Sequence, residues 1–255
     1  MIGKAKLKYI KSLERKKGRK ETGMFVAEGP KVVGDLLQVM PAQLIVATEK
    51  WIDNQPPLPC EVVLVSEDEL RKVSFLQHPQ DVLAVFPMKP VNRIRSEQFE
   101  NSLILALDDV QDPGNLGTIV RIADWFGIEN IFCSPSSADV YNPKVVQATM
   151  GSIARVNVEY VDLVELIGSL PTDFPVYGTF LDGENIYAQP LTPHGLIVMG
   201  NEGNGISEQV AKQVNRRILI PNYPMGRTTT DSLNVAIATA ITCAEFRRQS
   251  LKIKT

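Results

Sequence analysis

The chain has 255 residues, of which 44% are hydrophobic and 22% charged, so it is long enough for one large or two smaller hydrophobic cores and too apolar to be disordered throughout. No apolar run approaches the ~20 residues of a membrane helix, and the lysine-rich start lacks the apolar centre of a signal peptide, which predicts a cytoplasmic protein with no membrane partner. Its cysteines, Cys60, Cys133 and Cys243, are odd in number, far apart and without a CxxC pair, and His78 and His194 are too few to complete a usual zinc site, so buried reduced thiols and no metal are expected.

The formal net charge of −2 is unevenly spread. Between Met1 and Lys20, nine bases (Lys4, Lys6, Lys8, Lys11, Arg15, Lys16, Lys17, Arg19 and Lys20) face a single acid, Glu14, a local balance of +8, and the other 18 bases and 28 acids leave −10. A basic arm on an acidic body points to a polyanion, since phosphate contacts supply much of the affinity for nucleic acid and act at a distance. The plainer reading is a solvated first helix. Next come a helical pattern over Glu28–Met40, strands over Gln43–Glu49 and Glu61–Ser66, a helix over Glu67–Phe75 and a strand over Asp81–Phe86. The stretch from Pro87 to Asn101 combines two prolines with charged residues and has no strand periodicity, so it reads as a linker with room for a short helix. The boundaries this implies are 1–87 for a first α/β domain, 88–101 for the linker and 102–255 for a second domain.

The second domain alternates regularly. Strands are predicted over Leu103–Val110, Asn130–Ser134, Val156–Val161, Val176–Phe180, Gly195–Gly200 and Arg217–Pro221, with helices from Leu116 and over Pro143–Ile153, Leu163–Gly168 and Ser207–Val214. This order implies a parallel sheet covered on both faces. A final helix follows, with Leu233, Ile237, Ala240, Ile241 and Ala244 at helical spacing, Asp231 or Ser232 as its cap, and Arg247 and Arg248 suited to its carboxyl end.

Three stretches of this domain place glycines and polar residues where strands end, which is where α/β folds bind ligands. In DDVQDPGNLGTIVRIADWFG, from Asp108, Arg121 sits on the early turns of a helix, and Gly117 one turn before it is expected to leave space for a phosphate or ribose. In IVMGNEGNGIS, from Ile197, Gly200, Gly203 and Gly205 permit close approach to bare backbone, although neither GxGxxG nor GxxxxGK[ST] is present. Glu202 between these glycines is poorly placed for packing and well placed for a ligand, with Arg121 as its natural counterpart. An ordinary tight turn and a surface arginine are the plain alternatives. The third stretch, from Ile218, has a long polar loop, Pro221 to Asp231, before Ser232 and Asn234 open an apolar helix.

The runs NLGTIVR, MGNEGNGIS and IP followed by SLNVA resemble the three ordered motifs of the SpoU or TrmH family of RNA ribose 2′-O-methyltransferases, within the SPOUT superfamily, over roughly Leu103 to Gln249. The run KSLERKKGRKETGMFVAEGPKVV is similar to the small ribosomal-protein-like RNA-binding domain that many members carry in front. The resemblance implies a trefoil-knotted α/β catalytic domain, a homodimer whose sites use both subunits, and S-adenosylmethionine as cofactor. The cofactor would lie around Thr179, Gly200, Ile220 and Leu233, with Asn201, Gly203 and Pro221 close by. Catalytic roles would fall to Asn115 at the ribose, Arg121, Glu202 orienting the loop or the partner's Arg121, and Ser232 and Asn234 positioning hydroxyl and cofactor. Arginine rarely gives up its proton, so a phosphate clamp and oxyanion stabiliser suits Arg121 better than a general base. Two departures from the family pattern are the long Pro221 to Ser232 loop, with Arg227 available to RNA, and Ala236 where many relatives have serine.

The substrate class implied is structured RNA, ribosomal RNA ahead of transfer RNA. The alternatives are a tRNA 2′-O-methyltransferase, a non-catalytic RNA-binding or ribosome-assembly protein, which would be free to lose Arg121, Glu202, Ser232 and Asn234, a base-nitrogen methyltransferase, and a dinucleotide enzyme, which the missing GxGxxG disfavours.

Overall fold

The computed structural model describes residues 2–90, 99, 101–224, 227–228, 230 and 232–252. Most of the predicted linker, with its short helix, and the predicted cap Asp231 lie outside these. The chain forms two compact units, Met1–Pro90 with Asp139–Ala154, and Val91–Ala138 with Arg155–Thr255.

In the first unit the elements run α1 (Lys4–Ser12), α2 (Lys16–Thr22), β1 (Met24–Glu28), α3 (Pro30–Leu37), β2 (Leu44–Ala47), α4 (Glu49–Ile52), β3 (Glu61–Leu64), α5 (Glu67–Val73) and β4 (Val82–Pro87). The sheet order is β1-β4-β2-β3, with β4 antiparallel to both β1 and β2 and β2 parallel to β3. Strand β1 was not expected. Phe25 to Glu28 are all buried, so the segment lacks the alternation that marks a strand with one wet face. The helix expected from Glu28 starts instead at Pro30, after Gly29 turns the chain at φ 86°. Helix α5 has the full capping box, in which Ser66 accepts from the Glu69 amide and Glu69 reaches back to the Ser66 amide.

The basic segment is no free arm. Ile10 and Leu13 are fully buried and share a core with Val26, Val46, Leu70, Leu83 and Val85. Arg19, counted among the bases for a polyanion, is 2% exposed: its guanidinium donates to Asp139 Oδ2 at 2.7 Å and to the Leu13 and Glu14 carbonyls at 2.8 and 2.7 Å. Gly18 allows that turn, because a Cβ there would lie 2.1 Å from the Ser12 carbonyl oxygen. Lys11 reaches the Ser74 carbonyl and lies over Phe75, while Lys6 pairs with Glu61 and Lys17 with Glu21. That leaves Lys4, Lys8, Arg15, Lys16 and Lys20 exposed and without an ion pair among the described residues.

The second unit contains β5 (Leu103–Leu107), α6 (Pro113–Trp125), β6 (Asn130–Cys133), β7 (Asn157–Tyr160), α8 (Leu163–Gly168), β8 (Val176–Asn185), β9 (Gly195–Met199), α9 (Glu208–Ala211), β10 (Arg216–Leu219) and α10 (Val235–Lys252); α7 (Pro143–Ala148), between β6 and β7 in sequence, belongs to the first unit. Its six strands are all parallel, in the order β10-β8-β9-β5-β6-β7. Every residue of β5, β6 and β9 is buried, as the apolar runs of a doubly covered parallel sheet require. Ile104, Ala106, Phe132, Leu196 and Val198 pack on one side against Leu163, Ile167 and Val210.

The last helix departs from expectation in two ways. It begins at Val235, with the Asn234 side chain accepting from the Ala236 and Ile237 amides, so Asn234 and not Ser232 is the cap. Its buried face is Val235, Ala236, Thr239, Thr242, Cys243 and Phe246, whereas Leu233 and Ile237 of the expected face are 45% and 53% exposed. Both faces carry small or apolar residues, so periodicity could not choose between them.

Removing Arg19 would strand Asp139 and two carbonyls. Arg19→Ala is expected to lower stability by about 3 kcal/mol or more, and Lys4→Ala by less than about 0.5 kcal/mol, measured by urea unfolding. Equal effects would contradict the structural role given to Arg19.

Candidate functional site

The site is built at the carboxyl ends of β5 and β9. Asp108, immediately after β5, is 6% exposed; its amide donates to the Met199 carbonyl at 2.9 Å and its Oδ2 accepts the Ser207 amide at 2.7 Å. Asp109 takes φ 59° and offers its carbonyl to Asn201 Nδ2 at 2.8 Å. The loop after β9 is thus tied at both ends to the end of β5. Within it, Asn201 and Gly205 exchange two backbone hydrogen bonds of 2.9 Å, and Asn201 Oδ1 accepts the Gly203 and Asn204 amides. Gly200 is required here, since a Cβ would fall 2.2 Å from the Gly205 carbonyl carbon.

Helix α6 starts beside this loop. Asp112 caps it by accepting the Asn115 amide at 2.7 Å, with Pro113 in the first turn. Asn115 Nδ2 donates to Glu202 Oε1 at 2.6 Å, Asn234 Nδ2 donates to Asn115 Oδ1 at 2.9 Å, and Ser232 Oγ donates to the Glu202 carbonyl at 3.4 Å. Asn115, Glu202, Ser232 and Asn234 therefore come from three separate stretches into one hydrogen-bonded cluster. Arg121 does not join it. It is exposed on α6 and makes no hydrogen bond or ion pair among the described residues, so within one chain Glu202 is held by Asn115 rather than by the arginine expected as its counterpart. Gly117 is buried, and the open face beside Arg121 is formed instead by Gly114 and Thr118.

A cavity of about 450 Å³ opens beside the cluster. Thr179, Gly200, Asn201, Gly203, Ile220 and Leu233 line it, with Glu202 and Ser232; Pro221, Asn115, Arg121 and Asn234 do not. Sequence reasoning missed Phe180, Leu181, Met199 and Ala238 in the lining, and Asp108 behind the loop. The tandem DD at a strand end was a signal for Asp108; nothing local marks the others.

The lining mixes bare backbone with apolar side chains, suited to a mid-sized ligand with both a polar and an apolar part. Two of the thiols are deeply buried. Burial pushes Cys243 up to about 12 and Cys133 well above its ordinary value, so neither is a nucleophile at neutral pH. Among the described residues no group of three or more His, Cys, Asp or Glu could hold a metal ion, and no helix is long and apolar enough to cross a membrane.

Known proteins share this fold. A TrmH-family structure from Porphyromonas gingivalis superposes with a TM-score of 0.86 at 39% identity, covering 98% of this chain and 99% of that one. An AdoMet-bound rRNA methyltransferase from Sinorhizobium meliloti superposes with a TM-score of 0.83 at 28% identity, covering 97% and 96%. The 23S rRNA (guanosine(2553)-2′-O)-methyltransferase RlmP of Bacillus subtilis is 30% identical over 246 residues, 95% of this chain and 96% of that protein. Residues 4–84 match the model of the MRM3-like substrate binding domain. Residues 102–244, which carry the loop, the cluster and the cavity, match that of the SpoU rRNA Methylase family, and the chain belongs to this family.

Proposed function

We propose that this protein transfers a methyl group from S-adenosylmethionine to a ribose 2′-hydroxyl of ribosomal RNA. The observation that carries this reading is the cavity, walled by the Gly200–Gly205 loop and bordered by the Asn115–Glu202–Asn234 cluster. Relatives similar over most of the chain are named as 23S rRNA 2′-O-methyltransferases, and the Sinorhizobium structure holds AdoMet. A trefoil knot in the second unit belongs to the same reading.

The lining fits the cofactor. Gly200 and Gly203 let backbone amides and carbonyls meet a polar group, and Ile220 and Leu233 supply an apolar bed for a ring. The bound cofactor supplies an electrophilic methyl. The chain must then hold the ribose hydroxyl in line with it and stabilise the oxyanion that develops as the proton leaves. Asn115 is fixed from both sides, its amide by Glu202 and its carbonyl by Asn234, so it is held ready to shape the ribose site without reorganisation. Arg121, cationic and uncommitted, serves as phosphate clamp and oxyanion stabiliser.

Because Arg121 stands outside its own chain's cavity lining, it is well placed to act in a partner's site. A second copy also accounts for the exposed apolar residues on α6 and α10, which pack on each other, and just before α10: Trp125 is 84% exposed, Ile237 53% and Leu233 45%. We place the homodimer interface on this face. The first unit, with Lys4, Lys8, Arg15, Lys16 and Lys20 free, binds the RNA backbone.

Arg121→Ala should lower kcat about 10²- to 10³-fold while AdoMet affinity stays within about twofold, and Arg121→Lys should restore little, because an ammonium lacks the guanidinium fork. Single-turnover methylation and calorimetry test this; full turnover by the alanine variant sinks the assignment. Ile237→Asp should convert a dimer into monomers by light scattering, with the emission of Trp125 shifting as its ring is returned to water, since a charge buried in an apolar interface is costly. An unchanged mass would place the interface elsewhere.

A further inference from the structure

Strand β8 is interrupted where it borders the cavity. Its ladder to β9 ends at Gly178, opposite Val198, and its ladder to β10 passes from Gly178 opposite Arg217 directly to Glu184 opposite Ile218. The residues Thr179 to Gly183 thus have no register partner on either side. Three of them, Thr179, Phe180 and Leu181, line the cavity, and Leu181 is 77% exposed at its mouth. A strand segment without a ladder has lost the contacts that normally fix its position.

One side chain spans this bulge. The Arg217 guanidinium carbon lies 3.4 Å from the centre of the Phe180 ring, and its Nη2 is 2.5 Å from Asp182 Oδ1. The Asp182 carboxyl is held below its usual range by the hydrogen bond from Arg217. Beyond Asp182, Gly183 lies against the Ile218 backbone, where a Cβ would come 2.5 Å from the carbonyl carbon, and the ladder resumes. The ion pair alone joins half-exposed and exposed groups and would contribute little. Its geometry is different in kind: the flat guanidinium stacks on Phe180 and grips Asp182 two residues on, so it sets the bulge from both sides of Leu181.

We infer that Arg217 is a positioning residue, a brace that holds the Thr179–Gly183 wall in the shape that receives the cofactor. It touches neither the reacting atoms nor the cavity, and its effect belongs in cofactor affinity rather than in the chemical step. The inference rests on S-adenosylmethionine as the occupant of the cavity.

The test compares the full-length protein with Arg217→Ala, Arg217→Lys and Phe180→Leu. In the ligand-free state, Arg217→Ala should speed amide hydrogen exchange of Phe180 to Gly183 at least about threefold while the rest of the sheet is unchanged. Its AdoMet dissociation constant by calorimetry, and KM for AdoMet, should rise about fivefold with kcat at saturation within about twofold. Arg217→Lys keeps the charge beside Asp182 but not the flat stack, and should remain weakened. In the Phe180→Leu background, replacing Arg217 should cost less, because the stack is already gone. Wild-type exchange and affinity in Arg217→Ala overturn the inference, and so does faster exchange with unchanged affinity. A wild-type protein that binds no AdoMet contradicts the proposed cofactor instead, and the exchange comparison still decides whether the brace exists.

Discussion

The site depends on how the loop after β9 is fastened to the end of β5. Asp108 is a buried carboxylate that spends one oxygen on the Ser207 amide, and Asn201 spends its side-chain amide on the Asp109 carbonyl. A charge-assisted hydrogen bond of this kind is worth about 1.5–3 kcal/mol net, and more is lost if the acceptor is removed while the amide stays buried. Between these two anchors the loop folds so tightly that Gly200 touches the Gly205 backbone. Its free apex carries Glu202 to Asn115, and Asn115 in turn receives Asn234 at the cap of α10. One polar staple therefore orients a helix start, a helix cap and the cavity wall together.

The first unit shows how a run of bases divides its labour. Nine residues between Met1 and Lys20 carry the same sign, yet Arg19 is internal, tied to Asp139 some 120 positions away in sequence, while Lys11 and Lys6 serve the packing of α1. Buried guanidinium needs its full set of acceptors, and it finds them in a carboxylate and two carbonyls. The bases left over face water and remain available to phosphate.

Much of this was legible in the chain itself. Parallel strands buried on both faces appear as unbroken apolar runs, and their alternation with helical patterns gives the element order of the second unit. Asn115, Glu202, Ser232 and Asn234 were named together only by the family resemblance, and the fold brings them into one hydrogen-bonded cluster. Other features were hidden because they depend on tertiary partners. β1 is too fully buried to alternate, α10 has two nearly equivalent faces, and Arg19 reads like any surface base until Asp139 is brought to it. The bulge of β8 has no local signature either, since Thr179 to Gly183 are set apart only by the registers of the two neighbouring strands.

The most direct test of the account is the chemical identity of the product. The protein is incubated with isotopically labelled S-adenosylmethionine and ribosomal RNA from cells lacking it, and the RNA is digested and resolved by mass spectrometry. The account predicts label in a single 2′-O-methylated nucleoside. Label on a base, or none in the RNA under conditions where the cofactor is bound, would contradict it.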